Sequence, residues 1–457
     1  MANILLSSLR HREIRRRLGF TVALLFAYRL GSFVPAPGVN LRALHSGQTP
    51  FSGSGILGLL NLFSGGGLSR VSLFALGVAP YVAASIIMQL LGVAVPGMAK
   101  LRREGEVGEA RLVQYTRYLT VGLAVAQSLA YVLALRGAQS PGATAVIARF
   151  DAVNVSLLVL SLAAGAVVLM WIGELITSRG VGNGISLLIM AGILAALPSG
   201  LQRWWTSPDP VFKVIMPFIV LGVIASIVFI QSGERRVPVQ YAKRVISGRL
   251  SGGGRTFLPL RLNMAGVIPV IFAATLMALP PTASQYVHAG WARSLSSFFR
   301  PNGWAFVVGE SVLIVAFTFL YTAVTFNPVE QADSLRKYGG FIPGVRPGRP
   351  TARFLDRLLT RLTFPAGLYL AVVAALPAVL IAETGATFAF GGTSLLIVIG
   401  VALETVRQLE AQLTMRSYET YLNQAGRERA RPPAAAAAGL RGDRGERHNR
   451  PVVPASR

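Results

Sequence analysis

Residues 155–176 read VSLLVLSLAAGAVVLMWIGELI, with Glu174 the one charged side chain in the run. About 20 apolar residues in helical form cross the hydrocarbon core of a bilayer, so this stretch reads as a membrane span. Lipid offers the backbone no hydrogen-bond partners, which favours helices that satisfy their own. Working outward, nine further apolar segments appear, so that the full set runs Leu18–Val34, Val71–Val95, Tyr118–Leu135, Val155–Ile176, Ile185–Leu197, Val211–Ile230, Met264–Leu279, Trp304–Phe326, Leu362–Ala382 and Thr393–Leu403. The fifth, seventh and tenth are short. They are expected to extend into flanking polar residues and to face protein or water rather than lipid alone.

Composition agrees with a polytopic membrane protein. Hydrophobic residues make up 53% of the 457, charged residues only 14%, and the mean hydropathy is +0.54; soluble domains carry about 25% charged residues. Cysteine is absent, which excludes disulfides and thiolate metal sites. Lys and Arg outnumber acidic residues 44 to 19. On a soluble chain that excess suggests nucleic acid; on this one the question is where the charges lie. Thirty-five of the 44 fall in the N-terminal arm, the loops after the even-numbered spans and the C-terminal part, against seven in the remaining loops and two, Arg29 and Lys213, within spans. Positive residues are retained on the cytoplasmic side, so both termini are expected to be cytoplasmic.

Three regions need separate readings. The N-terminal arm, residues 1–17, is basic and runs into an apolar segment as a signal peptide does, but no small-residue cleavage pattern follows, so an uncleaved first span is expected. Residues 51–70 are rich in Gly and Ser around a short apolar stretch, Ile56 to Phe63, far too short to span. Residues 423–457 are Arg, Ala, Pro and Gly without a periodic apolar face and read as a disordered basic tail.

Several long stretches carry a resemblance: YRLGSFVPAPG (28–38), NLFSGGGLSRVSLFALGVAPYVAASIIMQ (61–89), QYTRY (114–118), WIGELITSRGVGNGIS (171–186), RRVPVQYAKR (235–244), NMAGVIPVIFA (263–273), GGFIPGVRPGRPT (339–351) and FGGTSLLI (390–397). Over residues 15–422 the chain resembles the SecY family of protein-conducting channels. That resemblance implies an all-α polytopic membrane protein whose ten transmembrane helices form two pseudo-symmetric halves, residues 18–197 and 211–422, a clamshell around an hourglass pore. Its implied function is the central channel subunit of the Sec translocon, not an enzyme and without a cofactor. It would conduct unfolded preproteins across the bacterial inner membrane and release hydrophobic segments through a lateral gate.

The resemblance also assigns residues. Its pore ring falls on Val78, Val82, Ile185, Ile189, Ile271 and Ile397, all β-branched aliphatics. A tight apolar constriction sheds water and so excludes ions while deforming around a passing chain. Each of these residues alone would read as ordinary helix core; alignment with the motifs selects the six. The family's plug falls within residues 56–70, with Ile56, Leu57, Leu59, Leu60, Asn61, Leu62 and Phe63 as a small helix and Gly65, Gly66 and Gly67 as its pivot. The gate would lie between the second and seventh spans, near Gln89 and Gln127. The cytoplasmic loops 231–263 and 327–361, with seven basic residues each, would dock the ribosome and the motor ATPase SecA through Arg235, Arg236, Lys243, Arg244, Arg346 and Arg349. Guanidinium groups suit both RNA phosphate and acidic protein surfaces. Small membrane subunits of the SecE and SecG type, signal-sequence-bearing preproteins and membrane lipid complete the implied partners. Arg29, inside the first span, is expected to serve helix packing or headgroup contact, and Glu174 and Glu404 to snorkel at the cytoplasmic ends of their spans.

Two rival classes are less well served by the residues. A secondary transporter needs ionisable or coordinating groups at midplane, and the span interiors hold almost none besides Arg29 and Glu310. A membrane hydrolase needs paired carboxylates or a Ser–His constellation, yet all four histidines lie outside the spans.

Overall fold

The computed structural model describes residues 12–40, 61, 64–137, 147, 150–206, 210–241, 244–246, 249–251, 255–277, 303–384 and 392–430. The chain divides into two units, Glu13–Thr405 and a smaller one of Met1–Arg12 with Val406–Arg457. The larger unit holds the elements that bear on function.

Each of the ten apolar segments carries a helix among the described residues: α1 (Arg12–Gly31), α2 (Ala79–Ala94), α4 (Glu106–Gly137), α5 (Ala152–Arg179), α6 (Gly184–Thr206), α7 (Pro210–Ser232), α8 (Ile268–Met277), α9 (Trp304–Thr325), α11 (Arg349–Thr384) and α12 (Gly392–Ala430). Two short helices lie between the longer ones, α3 (Pro96–Arg103) and α10 (Pro328–Lys337). Among the described residues, six helices are long and apolar enough to cross a membrane, α4, α5, α6, α7, α9 and α11; α2 and α8 are apolar but shorter. Because α12 continues to Ala430, the first residues of the expected disordered tail are helical; 431–457 lie outside the described residues.

Two expectations need correction. The second apolar segment is helical only from Ala79. Before it, Val71–Val78 forms tight turns, closed by Ala75 donating to the Ser72 carbonyl (3.0 Å) and Gly77 to that of Phe74 (2.9 Å), while Ala36 donates to the Val71 carbonyl (3.0 Å) and Leu73 to that of Val34 (2.9 Å), tying the stretch to residues 34–36. Nor is the fold purely helical. The basic segment after α7 forms an antiparallel ribbon, β1 (Glu234–Tyr241) with β4 (Arg255–Arg261), Val237 opposite Leu258. Between them lies a short hairpin, β2 (Arg244–Ile246) and β3 (Arg249–Ser251), and β5 (Gly340–Phe341) adds an outer strand to β1. Side chains alternate along a strand, so Val237 and Val239 point into a small core with Leu260, Phe326, Ile342, Leu355 and Leu359, with Arg236 on the opposite face; Arg235, nearer the strand's start, is exposed as well.

The main core runs through the middle of the larger unit and draws on α1, α2, α5–α9, α11 and α12. Without a hydrophobic drive between helices in lipid, close approach of backbones and dispersion contacts hold such a bundle. Gly184 illustrates this: a Cβ there would fall on the carbonyl oxygen of Gly173, so α5 and α6 meet backbone to backbone. A second cluster, with Leu68, Val71, Tyr131, Leu135 and Leu158, ties the turns before α2 to α4 and α5.

Candidate pore and cytoplasmic cavity

Asn183 precedes α6, and its Oδ1 accepts from the backbone of Ile185 (3.1 Å) and Ser186 (3.2 Å); Thr177 Oγ1 accepts from Gly184 (2.9 Å). These bonds satisfy orphan donors of the first turn and fix where α6 begins. Ile185 and Ile189 then fall one turn apart on one face. The side chain of Ile185 lies over Gly173. On α2, Pro80 sits in the first turn and Val78 at the N-cap, again placing Val78 and Val82 four residues apart. Ile271 and Ile397 come from α8 and α12.

The six aliphatic residues assigned by resemblance share one apolar cluster. Val78, Val82, Ile189, Ile271 and Ile397 are buried within it, and Ile185 packs against it half-buried. None is among the outward-facing apolar side chains such as Phe218 and Phe229. Four of the six, Val82, Ile185, Ile189 and Ile271, also line a cavity of ≈ 570 Å³, with Ile268 and Phe272. Polar side chains, among them Tyr81, Ser85, Gln89, Arg117, Glu174 and Asn183, share the rest of its wall with Val113, Trp171 and Leu175. Gln127 is not on the cavity wall. The helices α2 and α8 pack against each other, with α4 beside α2 and α9 beside α8, where Phe272 meets Phe317 edge to face.

Glu174 differs from its expected role. It does not snorkel alone: Arg117 Nε on α4 donates to its Oε1 at 2.8 Å, an ion pair across two helices on the cavity wall. The signal for this pair was in the sequence: Arg117 directly precedes the third apolar segment and Glu174 lies two residues before the end of the fourth, so consecutive antiparallel spans bring them to the same end. Glu310 is buried on the face of α9 that carries Ile314 and Phe317.

Of the proposed plug, Ile56, Leu57, Leu59, Leu60, Leu62 and Phe63 lie outside the described residues. Asn61, Gly65, Gly66 and Gly67 are described; Gly65 and Gly66 have φ of +65° and +83°, a region that disfavours other residues. Arg29 is neither free nor turned to a headgroup: its Nη1 donates to the Gly65 carbonyl at 2.8 Å.

The basic residues of the cytoplasmic loops fall on built structure. Arg235 and Arg236 are exposed on β1, Arg236 bonded to Glu234 at 2.8 Å. Arg346 and Arg349 are exposed, and the Arg346 carbonyl is held by Thr351 Oγ1 at 2.9 Å, while Ile342 anchors the loop in the small core. Arg244 lies on β2, and Lys243 lies outside the described residues.

The family model for SecY matches residues 72–406. The chain belongs to the SecY family. It is 43% identical over 443 residues to the protein translocase subunit SecY of Corynebacterium glutamicum, covering 92% of this chain and 99% of that one. A subunit of the same name from Streptomyces scabiei is 44% identical over 428 residues, covering 90% and 97%. In fold the chain is similar to a solved protein-conducting channel, with a TM-score of 0.63 at 17% identity, covering 88% of this chain and 93% of that one. Family membership accounts for the mostly helical fold and for a multi-span membrane location.

Proposed function

We propose that this chain is the central channel subunit of a Sec translocon, conducting unfolded preproteins across the bacterial inner membrane. The observation that carries the reading is the convergence of the six aliphatic residues on one apolar cluster, four of them lining a cavity whose wall also carries Arg117, Glu174 and Asn183. A passenger would enter the cavity from the cytoplasm, where Arg117, Glu174, Tyr81 and Asn183 keep the wall wetted. Deeper, Val82, Ile185, Ile189 and Ile271, continued by Val78 and Ile397, form the neck. Branched aliphatic side chains there leave no ligands for an ion that has shed its water, yet yield to any side chain that passes.

In this reading ten helices cross the membrane, both termini are cytoplasmic, and spans 1–5 and 6–10 form two halves. Residues 56–70 act as the plug. The α2–α8 contact is the seam through which an apolar signal segment leaves for lipid, driven by burial of roughly 25 cal/mol per Å² of apolar surface. Arg235, Arg236, Lys243, Arg244, Arg346 and Arg349 receive the ribosome or the SecA motor, and small SecE- and SecG-type subunits accompany the channel. The α2–α8 packing and the exposed Arg235 and Arg236 of the ribbon support these assignments.

Depleting the protein in its host tests the function. Precursors of secreted proteins are expected to accumulate with their signal sequences uncleaved, while a cell that continues to export normally would rule the reading out.

A further inference from the structure

The turn Ser64–Gly67 occupies an unusual position. Gly65 is buried, and a Cβ built on it would meet Tyr28 Oη at 3.1 Å, Gly192 Cα at 3.3 Å and Arg29 Nη1 at 3.4 Å. The turn is therefore wedged between α1 and α6. Gly192 lies three residues beyond Ile189 on α6, and three residues apart along a helix is one face. Tyr28, Ile189 and Ile193 belong to the same apolar cluster as the other ring residues. The backbone of this turn thus lies one helical turn outward of the aliphatic neck.

Arg29 holds it there. Its Nη1 donates to the Gly65 carbonyl at 2.8 Å, and its guanidinium also rests on the Phe33 ring, 4.6 Å from the centroid. Arg70, just past the turn, lies 4.5 Å from the same ring. A guanidinium in a membrane helix is costly unless it is paired, and a charge-assisted bond to a carbonyl is stronger than a neutral one. Downstream the chain is fixed separately, since Tyr131 Oη donates to the Leu68 carbonyl at 2.6 Å. The Gly65 carbonyl belongs to the peptide between two glycines of positive φ, so any rotation of that pivot turns the oxygen away from Arg29.

We propose that Arg29 is a positioning residue for the channel's seal: it clamps the Ser64–Gly67 turn against α6 as a second barrier in series with the aliphatic ring. The proposal rests on the ring reading above. Two barriers in series make a distinctive prediction, because loosening the second matters most when the first is already breached.

The test is resting ion conductance of the full chain, reconstituted in lipid vesicles with the small membrane subunits that copurify with it. Arg29→Gln is expected to raise it a few-fold in the otherwise native channel and roughly tenfold in an Ile189→Ser channel, the ratio set by loss of one charge-assisted bond. Arg29→Lys, which keeps the charge on a point-like ammonium without the planar fork, should fall between and accumulates where the Gln variant fails to insert. Thermal stability of the purified Lys variant is expected to match the native protein, which separates a clamp from a folding defect. If Arg29→Lys and Arg29→Gln leave the Ile189→Ser channel unchanged, or raise conductance equally in both backgrounds, the clamp is overturned. If Ile189→Ser and Ile271→Ser together leave the resting conductance native, the ring reading fails instead.

Discussion

At the scale of single residues, the neck depends on side-chain chemistry and the helices around it on the lack of side chains. Ile189 and Ile271 are buried, line the cavity and come from different helices. Ile189→Ser with Ile271→Ser removes branched methyls and introduces hydroxyls that hold water, so the account expects an ion leak about tenfold above native or more, and weaker discrimination against defective signal sequences. Single-channel recording checks it. Gly184 makes the opposite kind of prediction. Any Cβ there collides with the Gly173 carbonyl, so Gly184→Ala must push α6 off α5, at a cost of about 1–3 kcal/mol. Thermal unfolding in detergent should show the loss; an unchanged melting temperature would mean that the two helices do not meet as described. The six positions proposed for the ring could be singled out only through the motifs around them, because an aliphatic residue in an apolar helix carries no signal of its own. Arg29 was legible as an anomaly in its span, but its partner was not: the Gly65 carbonyl lies 36 residues away and a backbone acceptor leaves no trace in side-chain patterns.

At the scale of elements, α-helices were plain and strands were not. From Arg236 to Val239 the strand Glu234–Tyr241 carries the period-two alternation of a ribbon, Val237 and Val239 inward and Arg236 and Pro238 outward. Proline in both strands, Pro238 and Pro259, argues against a sheet interior, and the concentration of charge invites the reading of a solvated loop. The ribbon tolerates its prolines because it is narrow and its core is borrowed from Phe326, Leu355 and Leu359. Likewise, the turns before α2 look like the start of a span, since their residues are as apolar as the helix that follows; only the pairing of Val34 with Leu73 shows otherwise. The loop bearing Arg346 gives a prediction at this scale. Its backbone is pinned through Thr351 and Ile342 while the arginine side chain is exposed. Arg346→Glu is therefore expected to leave expression and thermal stability native and to lower motor-driven export at least severalfold in a vesicle import assay. Native export by that variant would remove this loop from the docking surface.

For the whole molecule, two independent signals fix the arrangement. Hydropathy sets where the chain crosses, and the distribution of basic residues sets which way it faces. Neither says which helices surround the pore; that comes from packing, in which helices distant in sequence, α2, α6, α8 and α12, contribute aliphatic side chains to one cluster. The central claim is that the passenger touches those side chains. The chain has no cysteine, so each introduced thiol is unique. Single cysteines at Val82, Ile189, Ile271 and Ile397, and at the outward-facing Phe218 and Phe229, can be paired with one cysteine in a translocation-arrested preprotein and oxidised. Disulfides with the passenger at the first four positions and none at the last two are the predicted result; crosslinks at Phe218 or Phe229, with none at Ile189, Ile271 or Ile397, would contradict the account.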